Sequence, residues 1–181
     1  MKTGYLLRIG IDHFKEINDN FGQEYGDFVL RKTADCISSC ISEAQKVYKL
    51  VADEFLIMDV SSDEVRDAEK LYNKMREEIG RFIEANEFKV MYTVSGGIVP
   101  FGTLGGDQYS EALKLTDFAL NEAKTLGRNR CYIYNEETYR RFLRKREITQ
   151  ELRDAVNNGL QGFTAFYQPV FAEDKKVPYG A

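Results

Sequence analysis

Histidine and cysteine are scarce in this sequence, with one histidine and three cysteines in 181 residues. The cysteines, Cys36, Cys40 and Cys131, are odd in number and fit no zinc-ligand spacing, so we expect free thiols in a reducing compartment. Apolar runs approaching the roughly 18 residues that a membrane helix needs are also missing. The Met-Lys-Thr-Gly start shows no signal-peptide pattern. Together these absences predict a cytoplasmic protein without membrane contact.

The chain also lacks an excess of basic residues. It carries 25 Lys and Arg against 29 Asp and Glu, which gives a net charge of −4, and the two signs are interspersed. Proteins that bind DNA or RNA normally present a basic stripe, so we expect no nucleic acid polymer as a partner. A single nucleotide can still bind an acidic protein through a few well-placed cations and backbone amides.

Hydrophobic periodicity predicts alternating strands and helices over residues 5–134. The expected elements are a strand at 5–11, a helical turn at 14–21, a helix at 25–42, hairpin strands at 46–50 and 55–60, a helix at 63–84, a strand at 88–99, a helix at 108–126 and a strand at 131–134. Antiparallel pairs mixed with crossover helices indicate an α+β fold. We expect a ferredoxin-like or polymerase-palm core, in which helices flank a central, mostly antiparallel sheet.

The pattern changes after residue 135. Residues 136–160 are highly charged with an apolar stripe, which predicts a long amphipathic helix. Residues 163–171 (FTAFYQPVF) then read as a strand. Because a lone strand after a linker helix cannot form a domain, we expect residues 161–181 to begin a second one.

The end of the first strand is the first candidate site. Ile11 and Asp12 precede a tight turn and a helix, and the amides of such a turn can bind phosphate while Lys15 adds charge. Asn18 and Asp27 carry the groups that can pair with a guanine edge. The alternative is that Asn18 ends a helix and Asp27 is an ordinary surface acid. Composition alone favours that alternative.

Two further segments carry candidate chemistry. Adjacent Asp53 and Glu54 lie at a hairpin tip, where they can hold Mg²⁺ or form an ordinary polar turn. Lys124 and Arg128 are four residues apart, at a helix end marked by Gly127. That pair can bind a polyphosphate, or it can compensate the helix dipole beside a glycine cap.

In this order, the segments resemble the GGDEF family of diguanylate cyclases, which condense two GTP into cyclic di-GMP between two domains. The resemblance covers roughly residues 5–135. The matching stretches are IDHFKEIND at 11–19, Gly26-Asp27, Asp53-Glu54-Phe55, Ser95-Gly96-Gly97-Ile98, TDFAL at 116–120, Ala123-Lys124 and GRNR at 127–130. Residues 166–170 (FYQPV) resemble the first strand of an EAL-type cyclic di-GMP phosphodiesterase domain. The expected organisation is therefore a GGDEF domain at 1–135, a linker helix at 136–160 and the start of a truncated EAL domain at 161–181.

The resemblance implies a role for each candidate. Asn18 and Asp27 would hold guanine, and the turn at His13, Phe14 and Lys15 would bind phosphates through its amides. The other implied roles are Mg²⁺ binding by Asp53, Glu54 and the Ile11 backbone, catalysis by Glu54, and contact with the terminal phosphates by Lys124 and Arg128. The implied partners are GTP, the downstream EAL domain and a second copy of the chain in a homodimer.

The sequence departs from the family at positions that the chemistry needs. Gly10 stands where the family has a metal-binding Asp, and Asp12 lies roughly 6–7 Å further along the strand, too far to replace it. Val51 and Ala52 replace the two signature glycines, and Lys49 replaces the usual Arg. A Cβ at both glycine positions is expected to crowd the nucleotide and restrict the turn. Any Mg²⁺ binding should therefore be weak.

The family's inhibitory product site is also expected to be absent, because residues 42–45 (SEAQ) lack its Arg-x-x-Asp pattern. The favoured interpretation is a degenerate GGDEF domain of a bacterial signalling protein, in which Glu54 is vestigial. Such a domain would bind GTP or dimerise, and so regulate the EAL domain. A weak diguanylate cyclase and a purely structural interaction module remain as alternatives, so enzymatic activity stays open.

Overall fold

The computed structural model describes residues 4–62, 64–85, 89–105, 108–160, 162–171 and 178–180. Its first unit, residues 1–135, is built around a five-stranded sheet. The strands are β1 (Tyr5–Ile11), β2 (Gln45–Lys49), β3 (Glu54–Asp59), β4 (Val94–Pro100) and β5 (Cys131–Ile133). Their order is β2-β3-β1-β4-β5, with β1 antiparallel to both of its neighbours and β5 parallel to β4.

Among the described residues, four α-helices flank this sheet, and they confirm the expected α+β architecture. They are α1 (Phe14–Phe21), α2 (Gln23–Cys40), α3 (Val65–Ala85) and α4 (Gln108–Thr125). The central strand is buried at six of its seven residues, since helices cover the sheet around it. A core of apolar side chains from β1, β3, α2 and α3 holds the layers together.

Strand β4 shows why its two glycines are needed. A Cβ at Gly97 would lie 2.3 Å from the backbone nitrogen of Leu120, and one at Gly96 would lie 2.8 Å from the ring of Tyr72. Helices α4 and α3 therefore approach the backbone of β4 directly at these positions. Strand β4 pairs with β1 without a bulge.

The strand expected at 88–99 is shorter in the structure. Strand β4 begins only at Val94, which pairs with Ile11, the last residue of β1. Beyond that pair the Asp12 N–H still donates to the Thr93 carbonyl over 2.8 Å, but the chain after Ile11 turns into α1, and residues 89–93 are not part of the sheet. Residue 88 lies outside the described residues.

The second unit, residues 136–181, contains α5 (Glu136–Asn157) and a two-stranded sheet of β6 (Val170–Phe171) and β7 (Pro178–Gly180). Only the last two residues of the strand expected at 163–171 are in this sheet, because β7 offers so short a partner. None of α5 is buried in the described structure. Within the described ranges, no helix combines the length and the hydropathy that crossing a membrane requires.

A buried carboxylate at the end of β3 makes the fold sensitive to acid. Asp59 accepts hydrogen bonds from the Tyr5 hydroxyl (3.0 Å), the Gln45 amide (2.6 Å) and the Ser61 backbone N–H (2.7 Å). Burial alone raises the pKa of Asp59, but the hydrogen bonds from Ser61, Gln45 and Tyr5 outweigh it and leave that pKa below its ordinary value.

Because the folded-state pKa is lowered, the stabilisation is complete above the unfolded-state pKa of about 3.9 and is lost as the pH falls through the folded-state value. We expect Asp59→Asn to lose about 1–3 kcal/mol at pH 7 and to show a weaker fall in stability below about pH 4. Urea unfolding at pH 3 to 7 measures both effects. The exposed acid Asp35, on α2, supplies the control Asp35→Asn, which should change neither. An equally acid-sensitive Asp59→Asn variant would contradict this account.

Candidate functional site

The hairpin between β2 and β3 keeps a glycine-like turn without its glycines. Ala52 has a φ of 54°, in the left-handed region that residues with a Cβ rarely adopt. Val51 is 83% exposed, so its branched side chain meets no protein atoms that would crowd it. The expectation that the two Cβ atoms restrict the turn stays a prediction, since the turn forms with a φ at Ala52 that a Cβ disfavours. The chain forms the turn and accepts the strain at Ala52.

Lys49 stabilises this turn from within the hairpin. Its amine donates to the carbonyl oxygens of Leu50 (3.3 Å) and Ala52 and lies 5.1 Å from the centre of the Phe55 ring. Burial lowers the pKa of Lys49, and the nearby acids, Asp53 foremost, oppose that shift. The amine of Lys49, which replaces the family's Arg, is thus hydrogen-bonded to backbone carbonyls of its own turn.

Glu54, the first residue of β3, lies opposite Gly10 in the antiparallel register. The Arg8 Nε donates to its Oε2 over 2.7 Å, and a terminal nitrogen of the same guanidinium also contacts Oε2. Its other oxygen, Oε1, lies 3.9 Å from the Lys124 amine. The carboxylate predicted to bind metal is therefore paired with two cations of the protein itself.

Position 10 offers no replacement ligand. A Cβ built on Gly10 would lie 3.1 Å from the Lys124 amine and 3.3 Å from the Leu120 side chain, so α4 fills the space that a longer side chain would need. Nearby, the Ile11 N–H donates to the Asp53 carbonyl over 3.4 Å. Across the described ranges, no group of three or more His, Cys, Asp or Glu side chains is arranged to hold a metal ion. Because Glu54 is paired with Arg8 and Lys124 and Gly10 has no side chain, the residues present do not fit Mg²⁺.

Asp12 has a structural role that the sequence did not reveal. It is 2% exposed and accepts hydrogen bonds from the Thr93 hydroxyl (2.6 Å), the Ser95 hydroxyl (2.7 Å) and the Asn129 N–H (3.2 Å). The carboxylate thereby ties the end of β1 to the start of β4 and to the loop after α4. Its hydrogen-bonding capacity is used within the fold, which argues against Asp12 as a substitute metal ligand.

The guanine candidates lie at the crossing of α1 and α2. A Cβ at Gly26 would be 1.8 Å from the Asn18 Oδ1, so the glycine is what lets the Asn18 amide sit against α2. Asp27 is the next residue along and is exposed. The structure thus brings Asn18 beside the backbone that carries Asp27, as a shared guanine site requires.

The phosphate candidates lie at the start of α1 and the end of α4. His13 precedes α1 with a φ of 58° and makes no side-chain cap, while its Nδ1 lies 2.6 Å from Glu16. Phe14 is half-buried against the core and Lys15 is exposed. At the other end, the Arg128 N–H donates to the Ala123 carbonyl over 3.1 Å in a left-handed turn. Unlike Lys124, which points to Glu54, Arg128 lies at the surface.

A cavity of about 350 Å³ adjoins a different face of α1. Its lining includes His13, which precedes the helix, Ile17 and Phe21 from the helix, and Met91 and Thr93 opposite. Neither Lys15 nor Asn18 contributes to that lining. The cavity is therefore separate from the predicted guanine site. At residues 42–45, where the inhibitory product site is expected to be absent, the Ser42 N–H and hydroxyl both donate to the Gln45 Oε1, and the absence of that site stays a prediction.

The sheet order and the acidic hairpin define a palm-like α+β domain, and comparison with known proteins is more specific. The family model described as "Diguanylate cyclase, GGDEF domain" matches residues 1–130. The chain belongs to this GGDEF family. The active GGEEF domain of a diguanylate cyclase from Vibrio cholerae is 31% identical with a TM-score of 0.64, over 75% of this chain and 85% of that one.

Two curated relatives extend the comparison. Cyclic di-GMP phosphodiesterase NbdA of Pseudomonas aeruginosa is 28% identical over 168 residues, which is 92% of this chain and 21% of that protein. Diguanylate cyclase DosC of Escherichia coli is 32% identical over 132 residues, which is 71% of this chain and 28% of that protein. The chain thus spans less than a third of the length of either relative.

The strained turn gives a stability prediction. We expect Ala52→Gly to raise the free energy of unfolding by about 1 kcal/mol, because glycine adopts a positive φ without the steric cost of a Cβ. Urea unfolding at neutral pH measures the change. The neighbouring Val51→Gly is the matched control and should be neutral or destabilising, since Val51 has no positive φ. Equal stability of Ala52→Gly and the parent chain would show that the turn is unstrained.

Proposed function

We propose that this GGDEF domain does not cyclise GTP and instead acts in cyclic di-GMP signalling, as a guanine-nucleotide-binding or dimerising regulator of a downstream EAL phosphodiesterase domain in the cytoplasm. The observation that carries the proposal is the pair formed by Gly10 and Glu54. The first supplies no carboxylate, and the second is bound by Arg8 and Lys124.

Loss of cyclisation follows from the chemistry of this step. A divalent cation held by the site would polarise the attacking hydroxyl and neutralise the phosphates. Removing one preorganised electrostatic group from an active site costs about 3 kcal/mol of transition-state stabilisation, or more than a hundredfold in rate. This chain lacks one carboxylate and has a second one neutralised, so the two losses together leave little turnover.

Nucleotide binding is supported by what the chain retains. Asn18 is held against Gly26 beside Asp27, and Arg128 and Lys15 are exposed cations near helix ends. A carboxylate and an amide can together pair with both donors and the acceptor of a guanine edge. None of these groups takes part in the Glu54 ion pairs, so guanine recognition can persist where cyclisation is lost.

The link to a phosphodiesterase domain is supported by the extent of the NbdA match. That match is 168 residues long, whereas the GGDEF family match ends at residue 130. The similarity to a phosphodiesterase therefore continues into the second unit. Residues 161–181 are accordingly proposed as the first strand of an EAL domain, with residues 136–160 as the linker.

Calorimetry with GTP tests the binding proposal. We expect GTP to bind the parent chain and Asn18→Ala or Asp27→Ala to weaken binding about tenfold or more, because each variant loses hydrogen bonds to guanine. Asn20, on the cavity face of α1, supplies the control Asn20→Ala, which should bind GTP normally. No binding at millimolar GTP would reduce the domain to a scaffold.

Chromatography of the same samples after incubation with GTP and Mg²⁺ tests the loss of cyclisation. We expect no cyclic di-GMP. Clear turnover that disappears in Glu54→Gln would establish a weak cyclase instead.

A purely structural interaction module is the second candidate function. It is favoured by the exposed apolar side chains of α5, among them Phe142, Ile148 and Leu152. Such a surface can serve a relay between domains or a dimer contact. This candidate requires that Asn18→Ala and Asp27→Ala leave the phosphodiesterase output of the full-length protein unchanged.

A further inference from the structure

Arg8 is the residue of this site to which the sequence assigned no role. It lies on β1 two residues before Gly10, so both face the same side of the sheet. Its side chain is only 14% exposed and that of Glu54 only 18%. Two nitrogens of the guanidinium contact the same carboxylate oxygen, Oε2. This oxygen is therefore contacted twice by the same cation.

The guanidinium is held from its other side as well. It donates to the Leu113 carbonyl over 3.3 Å and lies 3.3 Å from the Asp117 carboxylate, both on α4. Arg8 therefore bridges β3 and α4 across the face of β1. A cation fixed by two elements does not leave Glu54 as readily as a free surface side chain would.

We propose that Arg8 is a built-in counter-cation that occupies Glu54 in place of a divalent metal and keeps the site metal-free. Oxygen ligands lie about 2.1 Å from Mg²⁺, and Oε2 is already bound by the guanidinium. The remaining oxygen faces the Lys124 amine at 3.9 Å. A metal at Glu54 would have to displace one cation and lie beside the other, at a repulsive distance.

The consequence is that restoring the missing carboxylate is insufficient. A side chain at position 10 starts 3.1 Å from the Lys124 amine, and its carboxylate would add to the ion pairs already present. Arg8 must also be removed before Glu54 can serve as a ligand. This step rests on the proposed loss of cyclisation and deepens it, but it concerns the metal alone.

The test is a titration of nucleotide-free protein with Mn²⁺, in which calorimetry and electron paramagnetic resonance measure the binding. Four variants carry Gly10→Asp: alone, with Arg8→Met, with Arg8→Lys, and with Arg81→Met. Arg81 is an exposed α3 residue paired with Glu78, so its loss matches the change in net charge away from the site. We expect Gly10→Asp with Arg8→Met to bind Mn²⁺ at least tenfold more tightly than the other three, and Mn²⁺ to raise the melting temperature of that variant.

Equal Mn²⁺ affinity of Gly10→Asp alone and of the Arg8→Met combination would overturn the proposal. So would tight binding by the Arg8→Lys combination, which keeps the cation. If the Arg8→Met combination does not fold, the NMR resonance of the Arg8 Nε–H in the Gly10→Asp variant tests the proposal. It should stay unchanged on addition of millimolar Mg²⁺, and a shift would overturn the proposal. Because no nucleotide is present, these results are independent of whether the domain binds GTP.

Discussion

The antiparallel register between β1 and β3 is the constraint on which the site depends. It sets Gly10 opposite Glu54 and leaves Arg8 two residues away on the same face. Leu7 and Ile9, on the opposite face of β1, are fully buried in the core, so a slip of β1 by one residue would turn them out of that core and bring the Arg8 guanidinium into it. The packing of the core therefore fixes which groups meet at the site.

Three alternate residues, two on β1 and one immediately after it, serve three different purposes. Arg8 neutralises Glu54, Gly10 leaves room for Lys124, and Asp12 ties the ends of three segments together. Of the three, only Asp12 acts in the fold without contacting the Glu54 ion pairs. The contacts that build this end of the scaffold are therefore separate from those involved in the proposed loss of metal chemistry. The turn at Ala52 shows the same separation, since its glycine-like shape survives the loss of the glycine.

Charge is what distinguishes this site from one built for a metal. A metal site gathers carboxylates whose mutual repulsion the ion relieves. Here two protein cations, Arg8 and Lys124, already balance the negative charges of Glu54 and Asp117. The ion pairs are partly buried, so solvent screens them less than it screens the exposed pairs on α5. A guanine nucleotide bound beside α1 would not depend on breaking them.

The α+β class, the order of strands and helices in the first unit and the resemblance to the GGDEF family follow from the sequence, because apolar periodicity and short motifs are local properties of the chain. The sequence also locates Gly10 and the altered hairpin. The start of β4, which depends on where β1 ends, and the roles of Arg8 and Asp12 follow from the folded structure alone. Arg8 meets Glu54 across 46 positions of sequence, and Asp12 meets Asn129 across 117. No local pattern encodes such contacts, since folding alone brings these side chains together.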